Sequence, residues 1–282
     1  MEKVLPKDGG GGRRSKGEPL LAIIVPVFNE DPDLLRQSLG SIVDQSFSDF
    51  ECLIVDESSD ARSSEYCLGV CAQDQRFKYV RPKVRLGLVG SLNAGVASST
   101  APLIARFDAD DVCVRNRFEL QVKFMQDNPE IGVLGGGLQL TGEGFSVDSI
   151  RRYPLEHSDI EKAFNFTTPI AHPSVIVRRT CLERVGGYSE KYRYAEDLDL
   201  WLRMLRVGVK FANLPNVLVK YRVRGLARRK MHWIYNLRAR LSNFCLKNFW
   251  RRSLGILIIA VVLVVPDAVV RFFVRGLIVG SG

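Results

Sequence analysis

The chain has 282 residues, 46% of them hydrophobic and 25% charged, which is typical of a globular protein and leaves room for one large α/β domain with appendages. The net charge of +9 is unevenly placed, because residues 200–266 hold fourteen Lys or Arg and no Asp or Glu, whereas residues 1–199 hold 24 basic and 30 acidic residues. The six cysteines form no CxxC pair and have no His at zinc-ligand spacing, which argues against a structural zinc site and indicates free thiols in a reducing compartment.

Residues 1–19 are predicted to be a flexible tail. They lack the apolar core of about 7–15 residues that a signal peptide requires. The domain that follows is therefore expected to stay in the cytoplasm.

Apolar runs and helical patterns alternate along the first half of the chain. Strands are predicted at residues 20–27, 50–55, 77–80 and 103–107, and helices at residues 32–45, 87–99 and 115–127. Alternation at this spacing predicts a parallel sheet with right-handed crossovers. Carboxylates follow three of these strands, and we expect them to converge because the ends of parallel strands meet at one edge of a sheet. They belong to Glu30, Asp56, Glu57, Asp108 and Asp110.

Residues 103–111, LIARFDADD, carry the strongest candidate for chemistry. An apolar run breaks into three carboxylates, and those of Asp108 and Asp110 repel one another unless a cation joins them. Hard oxygen ligands suit Mg²⁺ or Mn²⁺ holding a phosphate, and a solvated turn is the alternative. Two further Asp-x-Asp triplets fall at expected helix starts, where Asp suits capping: Asp31/Asp33 and Asp197/Asp199.

The sheet carries neither of two common nucleotide-binding fingerprints. No GxGxxG lies between the first strand and its helix, and no GxxxxGK[ST] occurs. These observations argue against a nicotinamide-dependent dehydrogenase and against a P-loop NTPase.

The second half of the chain contains further predicted elements. These are a strand at residues 131–140, a strand-like run at residues 169–177 and a short helix at residues 178–185. Apolar residues then recur at helical spacing from Leu198 to Leu205, which places Glu196 and Asp197 in the first turn of another helix. The helix dipole favours acids there whatever the function, so a capping role remains open for both residues.

Six short motifs follow one another in a characteristic order. They are PVFNE at residues 26–30, VD at 55–56, RFDADD at 106–111, HPSV at 172–175, GGY at 186–188 and EDLDLW at 196–201. Together they resemble family 2 glycosyltransferases of the bacterial surface-polysaccharide type, across roughly residues 20–221. The resemblance implies an α/β fold of the GT-A type, with a Rossmann-like sheet that binds nucleotide sugars, and a transfer that inverts the anomeric configuration.

The resemblance also implies roles for individual residues. Asp197 resembles the general base that takes the proton of the acceptor hydroxyl, whereas Asp108 and Asp110 resemble the acids that hold the metal and the donor diphosphate. A nucleoside pocket is implied at Pro26, Phe28, Glu30 and Asp56. Contacts with acceptor or phosphate are considered at His172, Glu196, Trp201 and Arg222. For His172 and Trp201 the alternative is a place in the hydrophobic core.

Three features depart from the pattern of that family. Asp56 is followed by Glu57-Ser58-Ser59, where relatives commonly have a second Asp and then Gly-Ser, so the base of the donor nucleotide stays open. Arg224 stands where many relatives place a His, so a diphosphate contact from this loop must be made differently. The chain has no QxxRW, which argues against a processive synthase and for the addition of one or a few sugars.

The catalytic domain is predicted at residues 20–225, with a membrane-associated helical extension after it. Residues 226–252 place apolar side chains at helical spacing among Lys and Arg, which predicts a basic amphipathic helix on an anionic membrane surface. Nucleic-acid binding and a helix docked on the catalytic domain are the alternatives. The apolar residues concerned are Ile234, Leu237, Leu241 and Phe244.

Residues 253–282 are predicted to be a hydrophobic membrane-associated segment. Its uncharged run is shorter than the roughly 20 residues that a membrane span requires, and an extension would include Asp267 and Arg271. We therefore expect a helix that is embedded in the membrane or re-enters it, in preference to a true span.

These patterns combine into one prediction of function. The chain is predicted to be a metal-dependent, inverting, non-processive glycosyltransferase at the cytoplasmic face of the inner (plasma) membrane. It would use Mn²⁺ or Mg²⁺ and move a sugar from a nucleoside-diphosphate sugar, with a UDP-sugar favoured, to a hydroxyl of a lipid-linked glycan. The alternative is a non-catalytic, membrane-bound protein that binds nucleotide sugars, and nucleic acid is not an expected partner.

Overall fold

The computed structural model describes residues 17–142, 146, 149–224 and 230–265, so most of the predicted tail and the hydrophobic segment beyond residue 265 lie outside the described residues. The strands are β1 (Leu21–Val27), β2 (Phe50–Asp56), β3 (Phe77–Val80), β4 (Leu103–Arg106), β5 (Val112–Cys113), β6 (Ile131–Thr141), β7 (Ile150–Arg151), β8 (Ile176–Arg178) and β9 (Lys210–Arg222). The helices are α1 (Pro32–Val43), α2 (Ala61–Gln73), α3 (Gly87–Ala97), α4 (Arg117–Asp127), α5 (His157–Ala163), α6 (Arg179–Val185), α7 (Glu196–Arg206), α8 (Lys230–Ser242) and α9 (Phe249–Val264).

The strands form one mixed sheet in the order β3-β2-β1-β4-β8-β6-β9-β5, with β7 paired to β6. The predicted parallel arrangement is confirmed for β1 to β4, because β1 pairs in parallel with β2 and β4, and β2 with β3. Beyond β4 the sheet is mixed, since β8 runs antiparallel to β4 and β6, and β5 antiparallel to β9, whereas β6 and β9 are parallel. The predicted α/β class is therefore confirmed, with a mixed sheet in place of a parallel one.

Helices cover both faces of this sheet. Leu21, Ile23 and Val25 of β1 belong to one buried cluster, whereas Ala22 and Ile24 belong to a second. The first cluster includes residues of α1 and α4, and the second includes residues of α3 and α7. Strands that are buried on both faces need apolar residues at every position, which is why β1 reads as an unbroken apolar run.

The predicted strand at residues 169–177 is wrong at its centre. His172–Ser174 form a 3₁₀ turn, and the strand β8 begins only at Ile176. Pro173 has no backbone N–H to donate to a neighbouring strand, so this segment turns instead of pairing. The turn places His172 close to Glu196, one of the candidate site residues.

The Asp-x-Asp triplet at the start of α1 is a helix cap. Asp31 accepts hydrogen bonds from the backbone N–H groups of Asp33 and Leu34 at 2.8 and 3.3 Å, and Pro32 occupies the first helical position. The prediction of a capping role for this triplet is confirmed.

The basic amphipathic helix predicted at residues 226–252 is wrong in its extent. The chain forms two helices, α8 and α9, with Asn248 in the left-handed region (φ 60°) before α9. Polar residues of α8 face the catalytic domain: Arg240 donates hydrogen bonds to the carbonyl oxygens of Phe164 and Thr167. The apolar Ile234 and Leu241 are exposed. The alternative of a docked helix therefore describes the polar side of α8, while Ile234 and Leu241 of the predicted apolar face are exposed.

The hydrophobic character of α9 does not amount to a membrane span. In the described ranges, which end at residue 265, no helix has both the length and the apolarity needed to cross a bilayer.

Candidate active site

The acids that follow β1 and β4 meet at one edge of the sheet. Arg224, just beyond the end of β9, forms ion pairs with Glu30 and with Asp110, and its Nε lies 2.7 Å from Asp110 Oδ2. Glu30 and Asp110 therefore both contact one guanidinium, although they are 80 residues apart in the chain. The predicted convergence of these two acids is confirmed.

Residues 108–111, the acid loop, are held in place by two arginines. Arg106 at the end of β4 forms an ion pair with Asp108, and its side chain is buried. Arg222 of β9 donates from its backbone N–H to Asp111 Oδ1 at 2.8 Å and from its Nε to the Asp110 carbonyl at 3.2 Å. The acid loop thus joins the end of β4 to the end of β9, and Arg222 contacts the loop itself.

Burial shapes the charge state of the acid loop. Burial, reinforced by the neighbouring Asp108, raises the pKa of Asp111 to about 8. Burial also raises the pKa of Asp108, against the opposing charge of Arg106. Asp111 Oδ2 is buried without a hydrogen-bond partner. An additional cation at this loop would therefore favour the ionised form of these acids.

The donor set of the acid loop suits a cation that is shared with phosphate. Among the residues that the structure describes, no group of three or more His, Cys, Asp or Glu is placed to hold a metal ion by itself. Mg²⁺ is commonly bound by one or two carboxylates together with substrate phosphates and water. Asp108 and Asp110, with the unpartnered oxygen of Asp111 beside them, fit that second kind of site.

The proposed nucleoside pocket contains one exposed aromatic ring. Phe28 is 43% exposed, and the guanidinium of Arg85 lies over its face, 3.7 Å from the ring centroid. Pro26 is a half-buried residue of β1. Glu57, which differs from the family pattern, accepts a hydrogen bond from the backbone N–H of Gly87 at 3.0 Å and so stabilises the start of α3.

Asp56 is a buried junction of hydrogen bonds. Its carboxylate accepts from the Ser58 N–H at 2.8 Å, the Ser64 hydroxyl at 2.6 Å and the Tyr79 hydroxyl at 2.7 Å, and it pairs with Arg81 at 3.0 Å. Burial acts to raise the pKa of Asp56, but the hydrogen bonds from Ser58 and Ser64 hold it below its ordinary value. The carboxylate therefore organises the loop after β2, whether or not it also contacts a nucleoside.

Asp197 and Glu196 begin α7 on an unusual backbone. The preceding Ala195 has φ 58°, a left-handed conformation that non-glycine residues rarely adopt, and it caps α7 without a side-chain hydrogen bond. Asp197 is half-buried, and its Oδ1 accepts from the Leu198 N–H at 2.7 Å. Backbone strain of this kind persists where the surrounding structure imposes it, often at functional sites.

A cluster of buried polar groups lies behind Glu196. His172 Nε2 is 2.9 Å from the Tyr188 hydroxyl, and His172 Nδ1 is 3.9 Å from Glu196 Oε1. Burial, reinforced by the charge of Arg106, lowers the pKa of His172 well below its ordinary value, so the ring is neutral. Burial and the neighbouring Asp197 raise the pKa of Glu196 to about 7.

The structure places Trp201 in the core. Its side chain is fully buried, with its ring edge to face against His172 and Phe211. An acceptor could not reach it, so the core alternative describes this residue.

Some residues of the site were not singled out for roles from the sequence. Arg106 had a signal, because a charged residue inside an apolar strand needs a partner when it is buried. Tyr188 and Asp111 lie within two of the six motifs, but nothing in the spacing indicates their contacts. Arg224 was recognised only as a departure from the family.

Replacing Glu196 by Gln should change how stability depends on pH. Glu196 has a pKa of about 7 in the folded protein against an ordinary value of 4.5, so the folded state binds more protons between these values. Its contribution to the free energy of unfolding therefore falls as pH rises from about 4.5 to about 7, by on the order of 1–3 kcal/mol. Urea unfolding at pH 5 and pH 8 should show that the variant gains stability relative to the wild type at the higher pH. An equal pH dependence in both proteins would contradict this assignment.

The chain matches the family model described as glycosyl transferase family 2 over residues 22–186. It is 29% identical over 261 residues to the amylovoran biosynthesis glycosyltransferase AmsE of Erwinia amylovora, covering 90% of this chain and 97% of the relative. It is 27% identical to the UDP-Gal:alpha-D-GlcNAc-diphosphoundecaprenol beta-1,3-galactosyltransferase of Escherichia coli, covering 74% of this chain and 76% of that enzyme.

Solved structures share the fold. The mannosyltransferase PcManGT from Pyrobaculum calidifontis, in complex with GDP-Man and Mn²⁺, aligns with a TM-score of 0.63 and 17% identity, covering 93% of this chain and 80% of that chain. S. aureus TarS aligns with a TM-score of 0.62 and 16% identity over 79% of this chain, which spans 39% of that longer chain. These likenesses identify the architecture as a GT-A-like mixed sheet with flanking helices.

Proposed function

The chain belongs to glycosyl transferase family 2 and is a glycosyltransferase, and we propose that it transfers a sugar from a nucleoside-diphosphate sugar to a hydroxyl of a lipid-linked glycan. The transfer would invert the anomeric configuration, require a divalent cation and add one or a few sugars. One observation carries this proposal: the loops after β1, β4 and β9 bring Glu30 and Asp110 into contact with the same arginine, Arg224. These groups combine a site for a cation with a site for phosphate.

The relatives support the class of donor and acceptor. One solved neighbour is a complex with GDP-Man and Mn²⁺, and the E. coli relative is named for UDP-Gal and a diphosphoundecaprenol-linked sugar. We favour UDP over GDP as the nucleotide of this chain, and we propose Mn²⁺ or Mg²⁺ as its cation.

The residues of the site have separable tasks in this reaction. Asp197 would accept the proton of the acceptor hydroxyl while the oxygen attacks the anomeric carbon. The bond between that carbon and the donor diphosphate breaks in the same displacement, which inverts the configuration. Asp108 and Asp110 would hold the divalent cation, which when bound stabilises the negative charge of the departing diphosphate. Arg106 keeps Asp108 in position.

A strip of exposed apolar residues on α9 supports a membrane-bound acceptor. The helix docks on the domain through Gly255, where a Cβ atom would lie 1.9 Å from the Asn165 carbonyl oxygen, and through the buried Ile259. The apolar residues on the opposite face are 48–82% exposed, and they share one side of the helix. This α9 strip consists of Trp250, Leu254, Leu257, Ile258, Val261 and Val264.

The positive charge of α8 and α9 favours a lipid surface as the partner of the α9 strip. Lys230, Arg238 and Arg251 are exposed, and residues 200–266 contain no acid. Basic residues beside an apolar helix face are typical of helices that lie on anionic membranes. We therefore propose that the α9 strip rests on an anionic membrane that carries the acceptor.

Replacing Leu257 by Glu should detach the enzyme from lipid without harming the catalytic site. Leu257 is 59% exposed at the centre of the α9 strip. Removing its apolar contact and adding a charge should weaken binding to anionic vesicles by about tenfold or more. Transfer to a polyprenyl-diphosphate glycan in those vesicles should fall with it, whereas transfer to the same glycan without lipid should be unchanged.

The matched control is Leu68 to Glu, which makes the same substitution at an exposed position of α2. This variant should bind vesicles as the wild type does. Wild-type vesicle binding by the Leu257 variant, or equal rates of the intact enzyme on the lipid-linked and lipid-free glycans, would contradict the proposal. A loss of self-association with vesicle binding intact would assign the strip to a second copy of the chain.

A further inference from the structure

Arg224 joins two acids that belong to different parts of the proposed donor site. Its guanidinium pairs with Glu30, in the loop after β1, and with Asp110 of the acid loop, at 2.7 Å from Nε to Oδ2. We call this pair of contacts the Arg224 bridge. The two acids are largely buried, whereas the Arg224 side chain is 55% exposed.

The Arg224 bridge differs from the other arginine contacts of the site. Arg106 is buried against Asp108, and Arg222 bonds to the backbone of the acid loop, so both are built into the fold. Arg224, in contrast, is exposed to solvent and contacts the carboxylate side chains of Glu30 and Asp110. Because it is more than half exposed, it can change partners without unfolding the elements around it.

The bridge competes with a cation for the Asp110 carboxylate. A divalent ion held by Asp110 would share this carboxylate with the positive charge of Arg224, whose Nε lies 2.7 Å from Oδ2. An arginine that leaves a carboxylate needs another anion to recover its interaction energy, and a diphosphate offers oxygens in the geometry that a guanidinium prefers. Metal binding and diphosphate binding would then favour one another.

We propose that Arg224 exchanges Asp110 and Glu30 for the donor diphosphate when the donor binds, and so makes cation binding depend on the donor. This inference rests on the proposed function, because it requires a nucleoside diphosphate at the site. Before the donor binds, the positive charge of Arg224 compensates the negative charge of Glu30 and Asp110, which lowers their affinity for a free cation. After the donor binds, the guanidinium lies on the diphosphate and Asp110 is released to the cation.

The exchange has a thermodynamic consequence that binding experiments measure. If the nucleoside diphosphate raises the affinity for the cation by some factor, the cation raises the affinity for the nucleoside diphosphate by the same factor. In the wild type we expect UDP to tighten Mn²⁺ binding by about tenfold or more. GDP is the second probe, because the sequence does not assign the base of the donor nucleotide.

Arg224→Gln tests the exchange through two dissociation constants. Titrations followed by the electron paramagnetic resonance of free Mn²⁺ give the Mn²⁺ dissociation constant with and without nucleotide. The variant should bind Mn²⁺ alone about tenfold more tightly than the wild type, since nothing competes for Asp110. It should bind UDP more weakly in the presence of Mn²⁺. The factor by which UDP tightens Mn²⁺ binding should fall toward one. Arg224→Lys should restore part of the coupling, because it keeps the charge but not the planar fork.

Arg206→Gln is the control, since it removes one positive charge at an exposed position in the last turn of α7, at the other end of that helix from Asp197. It should leave both dissociation constants unchanged. Circular dichroism melting of each variant shows whether the fold is retained, and the Lys variant supplies the test if the Gln variant unfolds.

The outcomes separate this inference from the proposed function. An Arg224→Gln variant that binds Mn²⁺ alone with the wild-type dissociation constant, or that keeps the wild-type coupling, would overturn the exchange even if the wild type binds UDP tightly. If the wild type bound neither UDP nor GDP at any Mn²⁺ concentration, this result would instead contradict the proposed function. In that case the titrations with Mn²⁺ alone would still show whether Arg224 competes for Asp110.

Discussion

Replacing Asp197 by Asn should lower kcat by about 10²–10⁴-fold, the range that general-base catalysis contributes. Asn keeps the size of the side chain and its place in the first turn of α7, but it cannot accept a proton from the acceptor hydroxyl. Binding of the nucleotide sugar should not change, since the role proposed for Asp197 involves the acceptor hydroxyl and not the donor. Initial rates at saturating donor and acceptor, with the donor dissociation constant from calorimetry, measure both effects.

Asp159→Asn is the matched control for this variant. Asp159 also lies in the first turn of a helix, α5, but its exposed carboxylate pairs only with Lys162 in the contacts that the structure records. Its kcat should equal that of the wild type. If Asp197→Asn keeps more than about a third of wild-type kcat, well outside the range for loss of a base, another group takes the proton.

Replacing Asp110 by Asn should lower kcat/KM by about 10²–10³-fold, which is the usual cost of losing one group that stabilises transition-state charge. The variant loses one of the two carboxylates that would hold the cation, and it also loses one partner of Arg224. The remaining activity should respond weakly to added Mn²⁺. Rates measured over a range of Mn²⁺ concentrations would show this directly.

The chain offers a close control in a second Asp-x-Asp triplet. Asp33 is the second Asp of the triplet that caps α1, and it is exposed. Asp33→Asn should have wild-type rates and a wild-type Mn²⁺ dependence. An Asp110→Asn enzyme with the same Mn²⁺ dependence as the wild type would show that the cation is held elsewhere or is not used.

The sequence was sufficient to predict the strands β1 to β4, which follow from local patterns of apolar residues. β1 to β4 were predicted because buried parallel strands need unbroken apolar runs, and the acids after β1 and β4 converge because parallel strands end at a common edge. β8 was mispredicted because its direction depends on the turn around Pro173, and β9 was missed because its pairing with β6 is not local. Strand periodicity carries no information about such partners.

Contacts between distant segments explain what the sequence left out of the site. Arg224 and Glu30 are 194 residues apart in the chain, so no spacing rule joins them. The orientation of α8 has a similar cause. Helical periodicity identified Ile234 and Leu241 as one face, but Arg240 and Asn236 occupy the face that the domain covers. Which face of a helix packs inward is decided by the partner surface, here the carbonyl groups after α5.

Release of free nucleoside diphosphate from a panel of nucleotide sugars, with Mn²⁺ or with a chelator, tests the central claim most directly. The enzyme would be assayed in vesicles that carry a polyprenyl-diphosphate glycan. We predict release from one donor that requires Mn²⁺ and is lost in Asp197→Asn. Binding of a donor without release under any of these conditions, or release that the chelator and the Asp197 variant leave unchanged, would contradict a metal-dependent transfer at this site.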